Sequence, residues 1–482
     1  MKQNYAPLWE AIKKQVKAMT AQFHIPGHNS GRAIQQDFKE MAGQGVFQMD
    51  LTEIPGLDDL HNPQEAIAEA QALAADLYGA DRSFFLVNGT SCGLMALILA
   101  LCGPGDKIIV PRNAHRSVAS GLILSGAMPV YYQPVLIPEF GCLTGSNPQS
   151  IKDLLHKHPD AKAVVAINPT YYGVAGDIAG VAEICHRAGV PLLVDEAHGA
   201  HFKFHPQLPL DGLSSGADAV VQSTHKTGGS LTQSSMLHLK GERIHWERVA
   251  EALRMVQSTS PSYLLMASLD LARMQMAIQG KEMLNHTLEL AYWCRKKLSN
   301  ISGVQVLGAE NLRVSGAKSL DYTRLTISLL NKGLTGYRTA DLLQRERGVV
   351  VEMADYASVV AVLSLGSNSK DCQRLVEGIR KIVSSESGQT LMIPQSMLLP
   401  SPEVVLSPRE AWQSRQKKVI LESSLGQVCG ETVAVYPPGI PVVCPGERIT
   451  PTVLDYLLGV RRLGYKLQGP SDPTLKGLKV II

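Results

Sequence analysis

An excess of either charge is what this chain most plainly lacks. Its 46 Lys and Arg stand against 43 Asp and Glu, a formal net charge of +3 over 482 residues. The charges are spread without blocks, so no electrostatic footprint for nucleic acid or an anionic membrane is present. Long apolar runs are missing too. The longest, Leu94 to Cys102, is too short to span a bilayer, and the N-terminus has no apolar signal core, so a cytoplasmic protein is expected. The cysteines (Cys92, Cys102, Cys142, Cys185, Cys294, Cys372, Cys429 and Cys444) form no C-x-x-C pair and no Cys/His cluster at metal-ligand spacing. They are expected to be buried thiols, and no metal site is expected.

What is there is ordinary globular material, 45% hydrophobic and 18% charged, in a length that calls for two or three cores. Apolar residues at Leu8, Ile12, Val16 and Met19 predict a one-sided helix over 8–19. Another is predicted over 63–78 and closed by Gly79 as a left-handed cap. From there the pattern alternates. Strand-like runs fall at 83–87, 107–110, 130–133, 163–167, 191–194 and 218–221, with helices between them such as 148–156 and 178–188. The alternation predicts an α/β fold with a mostly parallel sheet and helices on both faces. One or two long helices over 261–297 lead to a second α/β pattern, with strands near 304–307, 322–328 and 359–365 and helices at 336–347 and 370–384. A proline-rich stretch, 389–408, with Pro394, Pro400, Pro402 and Pro408, reads as a linker to a small C-terminal module. The expected division is 1–297, 298–388 and 389–482.

The chemistry centres on Lys226, which comes after the apolar run Asp218 to Val221 inside Ser223-Thr224-His225-Lys226-Thr227-Gly228. Partial desolvation beside a protonated His225 would lower the lysine's pKa and free its amine to attack a carbonyl. Two motif matches nearby fail. Asp195-Glu196-Ala197-His198 spells the acidic motif of helicase-type ATPases, but no phosphate loop exists to hold a triphosphate. Ser223 and Lys226 with Thr227 and Gly228 spell two β-lactamase signatures, yet one lysine would have to serve as both of theirs. A third reading takes the loops after the strands together. Asn88-Gly89-Thr90-Ser91 opens a helix and can cradle a phosphate, although it could also be a plain N-cap. His115 could lie over a planar ligand or cap a helix. Asp195, at the end of a buried strand, needs a cationic partner such as a pyridinium nitrogen. Phosphate cradle, stacking His, strand-end Asp and Lys, all at the ends of strands, are what a pyridoxal phosphate enzyme needs.

With FHIPGHNSG from Phe23, DLTEIPGLDDLHNP from Asp50, NAHRS from Asn113, NPTYYG from Asn168, VDEAHGAHF from Val194, STHKTGG from Ser223 and YPPGIPVVCPGE from Tyr436, the chain closely resembles the Orn/Lys/Arg decarboxylase family. Those are pyridoxal phosphate enzymes of the aspartate aminotransferase fold (fold type I), and the size resembles the compact bacterial members. Position by position, the resemblance implies that Lys226 bonds to the cofactor and Asp195 pairs with its pyridine nitrogen. Gly89, Thr90, Ser91, Ser223 and His225 would hold its phosphate. His115 would stack on the ring, Ala197 would touch the opposite face, and His198 would adjoin the cofactor.

The reaction implied is loss of carbon dioxide from a basic L-amino acid, after which His225, Lys226 or His198 protonates Cα. Likeness to compact relatives ranks arginine first, lysine second and ornithine third, in polyamine biosynthesis. An aminotransferase or aldolase on the same scaffold is the alternative enzyme, because fold and cofactor do not fix which bond breaks. An inactive paralogue that binds a partner is the non-enzymatic alternative, opposed by the intact Lys226 and Asp195. A cationic substrate needs an acidic end-pocket, for which Glu447, Glu53, Asp58 and Asp59 have suitable chemistry. Glu447 ends a loop stiffened by Pro437, Pro438, Pro441 and Pro445. It is expected either to recognise the substrate's distal cation or to open the helix near 449–458. The loops 23–29 and 50–61 are more elaborate than connectors, and with the resemblance they point to a homodimer with sites at its interface.

Overall fold

A computed structural model describes residues 1–18, 20–386, 388–393, 399–436 and 439–482. Met19, Pro394, Pro437 and Pro438, to which the sequence assigned a helix, a linker and a stiffened loop, lie outside the described residues. Seven strands build the central sheet: β1 Arg82–Leu86, β2 Lys107–Pro111, β3 Met128–Tyr132, β4 Ala163–Ile167, β5 Leu192–Asp195, β6 Ala219–Gln222 and β7 Ser235–Leu239. Across the sheet they run β1, β7, β6, β5, β4, β2, β3. Pairing is parallel from β6 to β3, and β7 runs against both its neighbours.

The strands are apolar on both sides because both sides are covered. Ile109, Val164, Ala166, Leu192, Val194, Val220 and Met236 enter one core. The residues between them, Ile108, Val110, Ala163, Val165, Leu193, Val221 and Leu237, enter the core on the other face. This period of two distributes continuous apolar runs over two layers of helices.

Helices form where expected, with shifted ends. The first spans Pro7–Lys17. The helix expected from residue 63 begins at Ala66 and closes on Gly79, whose φ is +75°. The late start has a cause in Asp58, whose carboxylate accepts from the backbone N–H groups of Gln64, Glu65, Ile67 and Ala68 at 2.9 to 3.2 Å. One unbroken helix, Tyr263–Ser299, leaves the sheet and packs into the next core.

That core lies over an antiparallel sheet of β8 Gln305–Val306, β9 Arg324–Ser328, β10 Met353–Ala354 and β11 Val359–Val362. It is covered by the helices Gly336–Arg347 and Ser369–Ser385. The C-terminal residues form a separate core around Val433, Val442, Val453, Leu457 and Leu478, with the helix Pro451–Leu463. The architecture is the expected α/β one, a mostly parallel sheet with a smaller α/β unit and a C-terminal module.

Candidate active site

Strands β4, β5 and β6 end side by side, with Asp195 opposite Ile167 on one side and Val221 on the other. The loops beyond them, with the loops after β1 and β2, enclose a cavity of about 400 Å³. All ten of Gly89, Thr90, Ser91, His115, Asp195, Ala197, His198, Ser223, His225 and Lys226 line it, though they come from separate stretches between positions 89 and 226.

Its anion-binding end is the start of the helix Gly89–Leu101. Gly89 takes φ +71° there, a left-handed conformation that glycine adopts without steric cost, and its N–H is tied to the Gln233 carbonyl at 2.8 Å. No side chain caps this helix. Thr90 and Ser223 bring their hydroxyls together at 3.1 Å, and His225 donates through Nδ1 to the Ser234 carbonyl at 2.8 Å, so its Nε2 is the free ring nitrogen. His115 bonds the Ser117 hydroxyl through Nδ1 at 2.9 Å. Its ring opens onto the cavity, and the surrounding walls, with Lys226 and Arg116, push its pKa down to about 4. His115 is therefore neutral at physiological pH.

At the other end Asp195 is buried. Its carboxylate accepts from the Ala197 N–H at 3.1 Å, and it forms no ion pair of 4 Å or less among the described residues. Burial raises its pKa, against the pull of that N–H and of Lys226. Lys226 sits in the single turn Thr224–Thr227 after β6. Burial lowers its pKa, Asp195 and Glu352 oppose the shift, and Arg324 adds to it. Its Nζ lies 3.0 Å from His198 Nε2 and 5.8 Å from the centre of the Tyr171 ring. Tyr171 donates to Glu352 at 2.5 Å.

Glu447 is not at this cavity, which corrects the expectation that it meets the substrate. It is 1% exposed and forms a two-pronged ion pair with Arg112, one contact being Nη2 to Oε2 at 2.9 Å. The same Oε2 accepts from the Cys444 N–H at 2.7 Å. Nor does it open the helix, which starts at Pro451 under a Thr450 cap. The pair fastens the loop after β2 to the C-terminal module, and Arg112 also donates to the Val442 carbonyl at 2.6 Å. Of the other acidic candidates, Asp58 holds the backbone of 64–68, Asp59 accepts from the His61 N–H at 2.8 Å, and Glu53 is exposed and bonded to Thr52. None lines the cavity. Glu447→Gln should strand a buried guanidinium. The expected loss is about 3–5 kcal/mol of stability, read by chemical unfolding, with the ratio of turnover on cationic and neutral amino acids unchanged.

Sequence reasoning gave no role to Arg324, Tyr171, Tyr436 or Asn113. The last three line the cavity. Arg324 touches His198 from the small sheet, Nη2 to Nδ1 at 3.0 Å. Its signal was a charge inside the run Thr323 to Ile327, where an otherwise strand-like pattern predicts burial.

The chain matches the model of the Orn/Lys/Arg decarboxylase major domain over residues 6–371 and that of the family's C-terminal domain over 392–480. It is 41% identical to an arginine decarboxylase of Bacillus subtilis, over 100% of this chain and 99% of that protein. It is 40% identical to an arginine decarboxylase of Halalkalibacterium halodurans, covering 100% and 98%. Among solved structures, the lysine decarboxylase LdcF of Francisella novicida aligns with a TM-score of 0.87 at 24% identity, over 99% of this chain and 81% of that one. With both domain models matched in order and the identity sustained from end to end, the chain belongs to the Orn/Lys/Arg decarboxylase family.

Proposed function

We propose that the chain decarboxylates arginine to agmatine with pyridoxal phosphate, and serves polyamine biosynthesis in the cytoplasm. The observation that carries this reading is the single cavity that gathers a desolvated lysine, an unpaired buried carboxylate and an open helix start. The donor set fits the cofactor: hydroxyls and N–H groups at one end suit a phosphate, and Asp195 without a cation suits a pyridinium. When bound, pyridoxal phosphate supplies a sink for the electron pair left on Cα as carbon dioxide departs. Lys226 would anchor it, Asp195 would keep its ring nitrogen protonated, and Gly89, Thr90, Ser91, Ser223 and His225 would hold its phosphate. His115 and Ala197 are assigned to its two faces and His198 to the side of Lys226. The proton for Cα comes from His198, His225 or Lys226.

Arginine ranks first because the relatives at 40–41% identity bear that activity in their names, whereas a lysine decarboxylase of Pseudomonas aeruginosa is 26% identical. An equimolar mixture of arginine, lysine and ornithine should yield chiefly agmatine and carbon dioxide. Cadaverine as the main amine would reassign the substrate, and keto acid without carbon dioxide would favour an aminotransferase.

The division at 297 and 388 is part of the same proposal, supported by distinct cores for the central sheet, the small sheet and the C-terminal module, although 297 falls inside the helix Tyr263–Ser299, whose Leu290, Ala291 and Cys294 already belong to the second core. So is the homodimer. Phe23, Ile25, Phe38 and Met41 are 101, 60, 56 and 91% exposed, an apolar surface that suits burial against a second copy. The cytoplasmic assignment is compatible with the described residues, where no helix is long and apolar enough to cross a membrane. Mixing Lys226→Ala subunits with subunits altered in the 50–61 loop should restore part of the activity through hybrid dimers. No recovery despite subunit exchange would mean that each site is built from one chain.

A further inference from the structure

His198 is held at both ring nitrogens. Nδ1 is 3.0 Å from Nη2 of Arg324, and Nε2 is 3.0 Å from Nζ of Lys226. Turning the ring over would put carbon atoms at both contacts, so the two hydrogen bonds fix its orientation. A guanidinium has five N–H donors and no acceptor. Nδ1 must therefore offer its lone pair to Arg324, and the one proton of a neutral imidazole must sit on Nε2. That proton points at Lys226. An ammonium on Lys226 would also have to donate to Nε2, which would leave the ring with no proton at all, an imidazolate, which is a far stronger base than an amine and would take the proton from the ammonium.

We propose that Arg324 is a positioning residue: it locks His198 in the Nε2–H form, and so directs a proton at Nζ of Lys226 and keeps that lysine an unprotonated amine.

Arg324 is itself held in place. It lies at the start of β9 and is 2% exposed, with Nε 3.7 Å from Asp321. Asp321 is fully buried, accepts from the Thr323 hydroxyl at 2.6 Å and meets His201 at 3.2 Å. Burial alone would raise its pKa, but His201, Arg324 and Thr323 outweigh burial and hold it at about 2. A carboxylate is thus present behind Arg324 throughout the working pH range. Gly173, at φ +88°, leaves room for the arginine stem, since a Cβ there would fall 2.9 Å from Arg324 Cβ and Cγ. On the other side Tyr171 lies against the His198 ring, with centroids 4.3 Å apart.

The charges around the pair agree with the assignment. Lys226 is faced by Asp195 from β5 and Glu352 from the segment before β10, which favour its ammonium, and by Arg324 from β9, which opposes it. Burial is the largest of these influences and lowers the pKa of Lys226, the direction that favours the neutral amine. His198 is pushed well below its ordinary range by burial, then by Lys226, Arg324, His115 and His225. The catalytic meaning of the lock rests on the decarboxylase reading: His198 becomes the group that can give a proton to a nitrogen at the position of Nζ or to an atom close to it.

The test is the tautomer of His198 in the full chain labelled with ¹⁵N-histidine and freed of cofactor, its signal identified by its loss in His198→Asn. The unaltered chain should give the Nε2–H pattern at pH 7. Arg324→Met should move the proton to Nδ1, and Arg324→Lys, which retains a donor, should restore Nε2–H. Competitive labelling of amines across a pH series should show Lys226 reacting at lower pH than free lysine, with its midpoint rising in Arg324→Met. In the loaded enzyme, kcat of Arg324→Met should fall by about 10²–10⁴-fold, the scale of a mispositioned proton donor. An Nδ1–H or doubly protonated His198 in the unaltered chain would overturn the lock, and that measurement needs no variant to fold. Carbon dioxide release reads the decarboxylase reaction separately, so a normal tautomer without carbon dioxide release would overturn only the catalytic meaning.

Discussion

Replacing Lys226 with Ala is expected to lower kcat by roughly 10⁴–10⁶-fold, the scale of removing a covalent nucleophile, while the chain stays folded. Lys226 occupies a single turn whose backbone bonds do not involve its side chain, Lys226 N–H donating to the Ser223 carbonyl at 2.9 Å. Its amine is desolvated, and its pKa is lowered from 10.5 chiefly by burial. This shift makes stability depend on pH. Between the lowered pKa and 10.5 the unfolded chain holds a proton that the folded chain has lost, so stability of the cofactor-free protein rises with pH across that window. Below the window both states are protonated and the burial penalty applies in full. Lys226→Ala removes that penalty, so its unfolding midpoint at neutral pH should equal or exceed that of the unaltered chain. The visible absorbance that arises from the bond between Lys226 and the cofactor should disappear. Near-normal decarboxylation by this variant would sink the assignment of the site.

Much of this site could be read from the sequence because each group comes directly after a strand that announces itself. Val164, Val165, Leu192, Leu193 and Val194 are continuous apolar residues, and such runs have few places to go except a sheet covered on both faces. The residues at the end of each run, Asp195 in one case and Ser223 to Lys226 in another, must then lie along one edge of that sheet. The strand β7 could not be read in the same way. It is fully buried but carries Ser235 and His238, and only the fold shows that His238 bonds the Ser83 hydroxyl at 2.7 Å and stacks on Tyr78. Pairings between distant residues were likewise illegible. Glu447 looked free because Arg112 is 335 positions away, and nothing local to either residue marks the partnership. Arg324 was hidden for the same reason, since its role depends on a loop from the other sheet.

Asp195→Asn should separate function from stability in the opposite direction from an ordinary damaging substitution. In the cofactor-free chain the carboxylate is buried with, among the described residues, one N–H donor and no ion pair, and burial raises its pKa from 3.8. Between 3.8 and the raised value the folded chain holds a proton that the unfolded chain has released, so stability falls as pH rises through that window and the loss persists above it. Asparagine carries no charge to bury, so the cofactor-free variant should be at least as stable as the unaltered chain at neutral pH. Activity should move the other way. An amide cannot keep a pyridine nitrogen protonated, and losing a preorganised electrostatic group costs roughly two to four orders of magnitude in rate. Added pyridoxal phosphate should raise the melting temperature of the unaltered chain by more than that of the variant, because ligand stabilisation depends on affinity for the folded state and only the carboxylate gains a cationic partner. The measurements are a pair of thermal scans with and without cofactor and a single-turnover rate of carbon dioxide release. An unchanged rate would mean that another group holds the ring nitrogen, and a variant less stable than the parent without cofactor would mean that Asp195 already has a partner in the empty site.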